Sequence, residues 1–302
     1  MISRNTSKKE RKEVNHKSAS IQLFMKKIAL FLLCLVCFTC APKLRSNVTS
    51  SLPALSENDL VVVLDMIDDQ YITAKKVGEL KATDNGLSQN CTYFQNIESL
   101  KVMARQNGAN LIKITKHKRP DNWSSCHRIY ADIYKVEDPK VYETTMAWSE
   151  HRKLTWDDFK GEPDLVNFPN ALAVTNSGMS YESERQLFSN GKVFIQSMFN
   201  TYASWVLPEG RTDYVLRHEQ IHFDLTEIYT RKLRKAFEDA NITSSDAYEA
   251  RQIFDKISSE LSMKQEQYDA ETIRGERQDI QEKWEAIVVI ELAKYELYRS
   301  NR

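Results

Sequence analysis

Residues 217–224 read Arg-His-Glu-Gln-Ile-His-Phe-Asp, with His218 and His222 four apart and Glu219 beside the first. On an α-helix, residues at that spacing point only about 40° from one another, so both imidazoles share a face and can grip one metal ion. Zn²⁺ suits such nitrogen pairs. Glu219 sits about 100° round the same turn. From there its carboxylate can act on a water that the metal polarises, without itself occupying the metal. One helical turn thus supplies two ligands and a general base, the arrangement that recurs in metallopeptidases. The competing reading is a plain helix with two core histidines, because Tyr214, His218, Ile221, His222, Leu225 and Tyr229 form one largely apolar stripe.

Catalytic zinc normally takes a third protein ligand. Glu227 lies roughly opposite His218 round the helix, and Asp224 is also off the face. The candidates are therefore downstream: Asp269 and Glu271 in "YDAET", with Glu266 behind them. The apolar stripe of that second helix, Phe254, Ile257, Leu261 and Tyr268, sets Glu271 nearer the core than Asp269. A solvated acidic face is the alternative for all three.

Four blocks occur in order: "LTWDDFKG", "SWV", "RHEQIHFDLTEIYTRKLR", and "YDAETIRG" followed by "QEKW". Together, over roughly residues 148–290, they resemble the DUF922 family. The resemblance implies a zincin-like domain and a zinc-dependent peptidase of the bacterial cell envelope, acting on peptide or protein substrates. His218 and His222 would be metal ligands and Glu219 the base. It also favours Asp269 over Glu271 as the third ligand, since Tyr-Asp is the firmer part of the family pattern. One position departs from that pattern. Where the family has Thr-x-His-Gly, this chain has Arg274, and a guanidinium has no lone pair to give a metal. Arg274 and Tyr268 could instead hold an oxyanion developing on an attacked carbonyl. Binding of a phosphate or carboxylate by Arg274 is equally open. The departure favours an alternative from another class: a non-catalytic envelope scaffold in which a structural metal site, or none, locks two helices.

No Gly-rich phosphate loop and no Gly-x-Ser-x-Gly elbow competes with this chemistry. Charge argues against nucleic acid as a partner. Residues 1–27 carry a net +6, residues 28–40 carry no charge, and the body carries a net −6, the wrong sign for phosphates. Met25-Lys26-Lys27 precedes "IALFLLCLVCFT" and then Cys40. This is a basic stretch before an apolar run too short to span a bilayer, which predicts an export signal. Ending on Cys40, it resembles a bacterial lipoprotein signal whose cysteine is acylated, although Cys37 and Thr39 stand where such signals favour Leu and a small residue. A lipid-anchored envelope protein is expected, with translation starting at Met25. An uncleaved anchor and a plain secretory signal are the alternatives.

Of five cysteines only Cys91 and Cys126 lie in the body, and an isolated pair in an exported protein predicts a disulfide. That pairing would remove Cys126 as a metal ligand beside His117 and His127.

The elements that must position these residues divide in two. Residues 41–56 read as a polar tether. Residues 57–138 read as a β-β-α-β-β module: strands in "DLVVVLD" and "KVGELKAT", a helix in "YFQNIESLKVMARQNGAN" closed by Gly108, then strands in "LIKITKH" and "HRIYADIYKV". In the last strand Ile129, Ala131 and Ile133 alternate with Tyr130, Asp132 and Tyr134, so one face meets a core and the other water. The module's sequence, including "GANLIKITKHKRPDNWSSCHRI", resembles small domains of Bacteroidetes envelope lipoproteins. It shows no catalytic constellation and reads as a packing or partner-binding unit. Residues 139–302 begin with short strands such as "GKVFIQSMF" and become helical from Asp213, with Gly275 marking a break. The fold class expected is α+β.

Overall fold

The computed structural model describes residues 42–84, 88, 91–124, 126–183, 191 and 193–300. The segment expected to direct export, with Cys34, Cys37 and Cys40, lies outside the described residues. The chain is α+β.

In the N-terminal module, strands β1 (Lys43–Val48), β2 (Val62–Leu64), β3 (Lys76–Thr83), β4 (Leu111–Lys118) and β5 (Arg128–Tyr134) form one sheet in the order β1-β3-β5-β4-β2. Only β2 runs parallel to its neighbour, β4. Helix α1 (Tyr93–Gln106) covers one face. Its capping box has Thr92 accepting from the Gln95 amide while the Gln95 side chain accepts from the Thr92 amide. Leu80, Leu100, Ile112 and Ile133 are fully buried between helix and sheet, each burial stabilising the module by about 1.5–3 kcal/mol. The alternation expected in β5 holds, with Ile129, Ala131 and Ile133 on the helix side. Cys91 is bonded to Cys126, 35 residues away, joining the entry of α1 to the entry of β5.

Residues 41–56 depart from the tether expected of them. Lys43–Val48 pair antiparallel with β3 as an edge strand, so close that a Cβ on Gly78 would lie 2.5 Å from the Asn47 carbonyl oxygen. The following residues fold back over the end of α1: the Leu55 amide donates to the Arg105 carbonyl. Gly108, in the left-handed region at φ +72°, packs under Leu52 and Pro53, where a Cβ would clash at 2.5 Å. The strand is exposed along nearly its whole length, with no further strand on its outer side among the described residues.

The C-terminal part holds a three-stranded sheet, β6 (Thr145–Ala147), β9 (Val193–Asn200) and β8 (Ser177–Ser183) in that spatial order, and a pair of short strands, β7 (Ala173–Val174) and β10 (Trp205–Val206). Three helices follow: α2 (Asp213–Asp239), α3 (Ala247–Thr272) and α4 (Gln278–Lys294). The break at Gly275 separates α3 from α4 as expected; a second, at residues 240–246, separates α2 from α3. No helix among the described residues is long and apolar enough to cross a membrane.

Helix α2 is the centre of this part. Ile221, Leu225 and Ile228 pack with Leu261, Tyr268 and Trp284 of α3 and α4, while Phe223 faces Phe199, Phe159 and Met146. The helix is therefore covered on both sides, and the single stripe read from sequence is half of its contact surface. Its polar residues are buried too. Arg231 is 1% exposed. It donates to Glu227, to the Leu292 carbonyl and to Glu296. Arg234 donates to Glu227 and to the carbonyls of Ile195, Tyr298 and Arg299. Glu227 also accepts from Ser197. A buried charge is tolerable only with partners of this kind.

Candidate metal centre

Thr212 begins α2 by capping it, its hydroxyl accepting from the Val215 amide. One turn further in, His218 and His222 come together with Asp269, which α3 brings across. His218 Nε2 lies 3.2 Å from His222 Nε2, and Asp269 Oδ1 lies 3.3 Å from the first and 3.1 Å from the second. Three corners of a tetrahedron with metal–ligand bonds of about 2.0–2.1 Å stand about 3.3–3.4 Å apart. The triangle has nearly those edges, and its three atoms are two imidazole nitrogens and a carboxylate oxygen, donors that zinc accepts. The residues fit the metal.

The layer behind the ligands fixes their chemistry. Gln265, one turn before Asp269, is wedged against the far side of His222. Its amide nitrogen donates to the His222 carbonyl at 2.9 Å, so its Oε1 accepts from His222 Nδ1. Nδ1 therefore carries the proton and the Nε2 lone pair faces the triangle. Tyr268 stacks on His218 with ring centroids 4.6 Å apart, and Trp284 packs edge-on to Tyr268. Behind His218, the chain turns through Ile273, Arg274 and Gly275, all at positive φ. A Cβ on Gly275 would stand 3.3 Å from His218 Nδ1, so the backbone itself presses on the ring there.

Charge in the site is strongly biased. Burial alone would neutralise His222, but hydrogen bonding to Asp269 and the negative charges of Glu219 and Asp269 lift its pKa above the usual value. Burial pushes Asp269 up, yet its hydrogen bonds with His218 and His222 hold it well below the usual carboxylate range. Tyr268 is pushed far up, by burial first and by Glu219 and Asp269 second, so its hydroxyl keeps its proton. His218 is buried while the Asp269 side chain is 40% exposed, so the triangle opens to solvent on the α3 side.

The other residues singled out in the sequence find definite places. Glu219 is buried, its Oε2 without a hydrogen-bond partner among the described residues. Glu271 turns elsewhere, accepting from the Trp284 indole and from Gln267. Phasing against the apolar stripe, which set Glu271 nearer the core, is thus reversed, because Asp269 and not Glu271 faces α2. Arg274 is exposed; its amide donates to the Asp269 carbonyl and tightens the turn. Asp224, off the metal face as read, accepts from the Trp148 indole at 2.6 Å and from Gln220 at 2.8 Å, and Gln220 accepts from the Leu154 amide. Trp148 and the "LTWDDF" block thereby brace the far side of α2.

Sequence reasoning passed over Gln265. Its position four before Asp269 places both on one face of α3, and that spacing was the available signal. His117 and His127 are hydrogen-bonded to each other at 2.7 Å in the N-terminal module, and the disulfide takes up Cys126. Among the described residues, the only cluster of three metal-ligating groups is His218, His222 and Asp269. Surface clefts of about 330 and 230 Å³ lie on the N-terminal side of the molecule, one under Leu52 and Asn107 and one beside Leu60 and Asn110. No family model matches the chain, and no curated protein or solved structure matches it.

Proposed function

We propose that this chain hydrolyses peptide bonds, using zinc held by His218, His222 and Asp269 with Glu219 as general base, as an exported and N-terminally anchored protein of the bacterial cell envelope. The observation that carries the reading is the triangle of two nitrogens and an oxygen with edges of 3.1–3.3 Å. The resemblance of four ordered blocks to the DUF922 family supports it. Bound zinc supplies Lewis acidity, polarising a carbonyl and bringing the pKa of water towards neutrality. The chain's residues do the rest. Gln265 holds His222 in the tautomer whose Nε2 is free to ligate. Asp269 stays ionised and offers its Oδ1. Glu219 takes a proton from the attacking water as oxygen adds to the carbonyl carbon. It returns that proton to the leaving nitrogen as the C–N bond breaks.

A second reading, a non-catalytic envelope scaffold, is favoured by two observations. Arg274 replaces the family's histidine, and the His–Asp contacts tie α2 to α3. Metal analysis combined with turnover separates the two. The purified protein should hold zinc, and Glu219→Gln should keep it while hydrolysis falls by ~10²-fold or more. Zinc without cleavage of any member of a broad peptide library selects the scaffold. Arg274→His then tests whether the missing histidine is the cause. A chain that takes up no zinc from excess sinks both metal readings.

A further inference from the structure

One face of the N-terminal sheet lies under α1. On the other, Val62, Leu64, Leu111 and Tyr142 form a small buried cluster that leaves the Lys116–Lys118 end of that face open among the described residues, and strand register decides what this open side presents. Directly paired residues project to the same side. Leu80, Ala131 and Ile114 form a paired row facing the helix. The next row, Arg45, Lys81, Tyr130 and Lys116, therefore crosses four strands on the open side. Beyond it Lys118 pairs with Arg128, and Lys43 lies at the same end opposite Thr83. Glu79 stands 3.6 Å from Lys81, and Asp121 pairs with Arg128 at 2.6 Å. Lys43, Arg45, Lys116 and Lys118 are exposed and have no carboxylate within ion-pair distance among the described residues. In the turn joining β4 to β5, at this same end, Trp123 is 93% exposed. The body of the protein is net acidic, so this corner is a local reversal of sign.

The chain enters the module at this corner. Lys43 opens β1 and lies three residues after Cys40, at the end of the apolar segment. Three extended residues reach about 11 Å at most, close to the Debye length of about 8 Å at physiological salt. A segment held in or on a bilayer thus brings the cationic rows within electrostatic range of the headgroups, and an amphipathic indole favours that same interfacial layer. We propose that this open sheet face, with Trp123 at its edge, docks on anionic phospholipid headgroups of the membrane that the N-terminal segment enters. The proposal rests on the anchored reading of residues 1–40.

The test reconstitutes the full chain into vesicles of phosphatidylcholine, alone or mixed with phosphatidylglycerol, and maps lysine reactivity towards an amine reagent by mass spectrometry. Lys81, Lys116 and Lys118 should be labelled about threefold less or lower still in the anionic vesicles, an effect reversed by high salt. Lys256 and Lys283, exposed on the helical part, should react equally in both. Arg45→Glu combined with Lys116→Glu should restore the reactivity of Lys81. A chain that floats with both vesicle types while its patch lysines react equally in each overturns the docking surface and leaves the anchor standing. Equal protection in neutral and anionic vesicles also overturns it, since headgroup charge is then not the cause. A chain that floats with neither overturns the anchor, and the docking surface with it.

Discussion

The molecule holds two histidine pairs, and they are opposites. His117 and His127 touch nitrogen to nitrogen at 2.7 Å across a β-hairpin, and His218 and His222 do so at 3.2 Å along a helix. Around the first pair burial, the pair's own mutual repulsion, and Arg119 and Arg128 disfavour a proton, pushing His127 down to about 4. Around the second, Asp269 and Glu219 lift His222. The first pair is an uncharged packing unit stacked beside Tyr93. The second is a negative concentration of ligand atoms that a cation would complete. Proximity of two imidazoles is therefore uninformative by itself. The charges brought alongside them, Asp269 from α3 in one case and Arg119 with Arg128 against Asp65 in the other, decide what the pair can do.

The largest expected difference between the pairs lies in metal retention. His218→Ala removes one corner of the triangle and, with it, about a third of a zinc affinity of roughly 10–16 kcal/mol, so it should weaken zinc binding on the order of 10³-fold or more, whereas His117→Ala should leave zinc content unchanged. Equal losses in the two variants, read by metal analysis after gel filtration, would erase the distinction drawn between them.

Next in size is the staple beside the first pair. Replacing Cys91 and Cys126 together by serine frees a loop of 35 residues, and chain entropy puts the loss at about 4 kcal/mol. Denaturant unfolding should show the N-terminal module melting earlier while zinc binding by the helical part persists. An unchanged midpoint would mean that the core under α1 carries this module unaided.

The smallest effect is pH dependence. In the unfolded chain His127 titrates near its ordinary value of 6.5, while folding pushes it down to about 4. Between those values the unfolded state binds the proton that the folded state refuses, so stability is complete above pH 6.5 and falls as pH drops towards 4. The partly exposed site limits the loss to roughly 1–2 kcal/mol. His127→Phe should flatten that slope in urea titrations at pH 5 and 7 (about the middle and the top of the window). A slope unaltered by the substitution would place the proton elsewhere.

What could be read before the structure follows a physical line. Strands β3, β4 and β5 were legible because their alternation reflects one buried face. β1 was not, because Lys43, Arg45 and Asn47 face solvent on an edge and the run "KLRSNV" carries no period to detect. His218, Glu219 and His222 share one helical turn, where local spacing suffices. Asp269 needed the family resemblance, since choosing between it and Glu271 depends on how α3 rotates against α2, a tertiary quantity. Glu227, Thr230 and Arg231 look like the wet side of a helix. They are buried: Ser197 from β9 reaches Glu227, the Leu292 carbonyl at the end of α4 and Glu296 just beyond it reach Arg231, and Thr230 turns back on the Thr226 carbonyl, and no local pattern encodes that.

Those acceptors have a consequence for the order in which the protein takes shape. Arg231 and Arg234 complete their hydrogen bonds with groups 61–65 residues further along the chain. While a ribosome still holds that later stretch, α2 carries two guanidinium groups that cannot enter an apolar interior without their partners. The histidine-bearing helix must then remain hydrated and loosely docked, and the metal triangle, which also waits for α3, closes only after both. Assembly of this region is set by long-range closure and not by local helix formation, which makes it slow relative to the helices themselves. The same delay keeps the three ligand atoms apart until nearly the whole chain has been made.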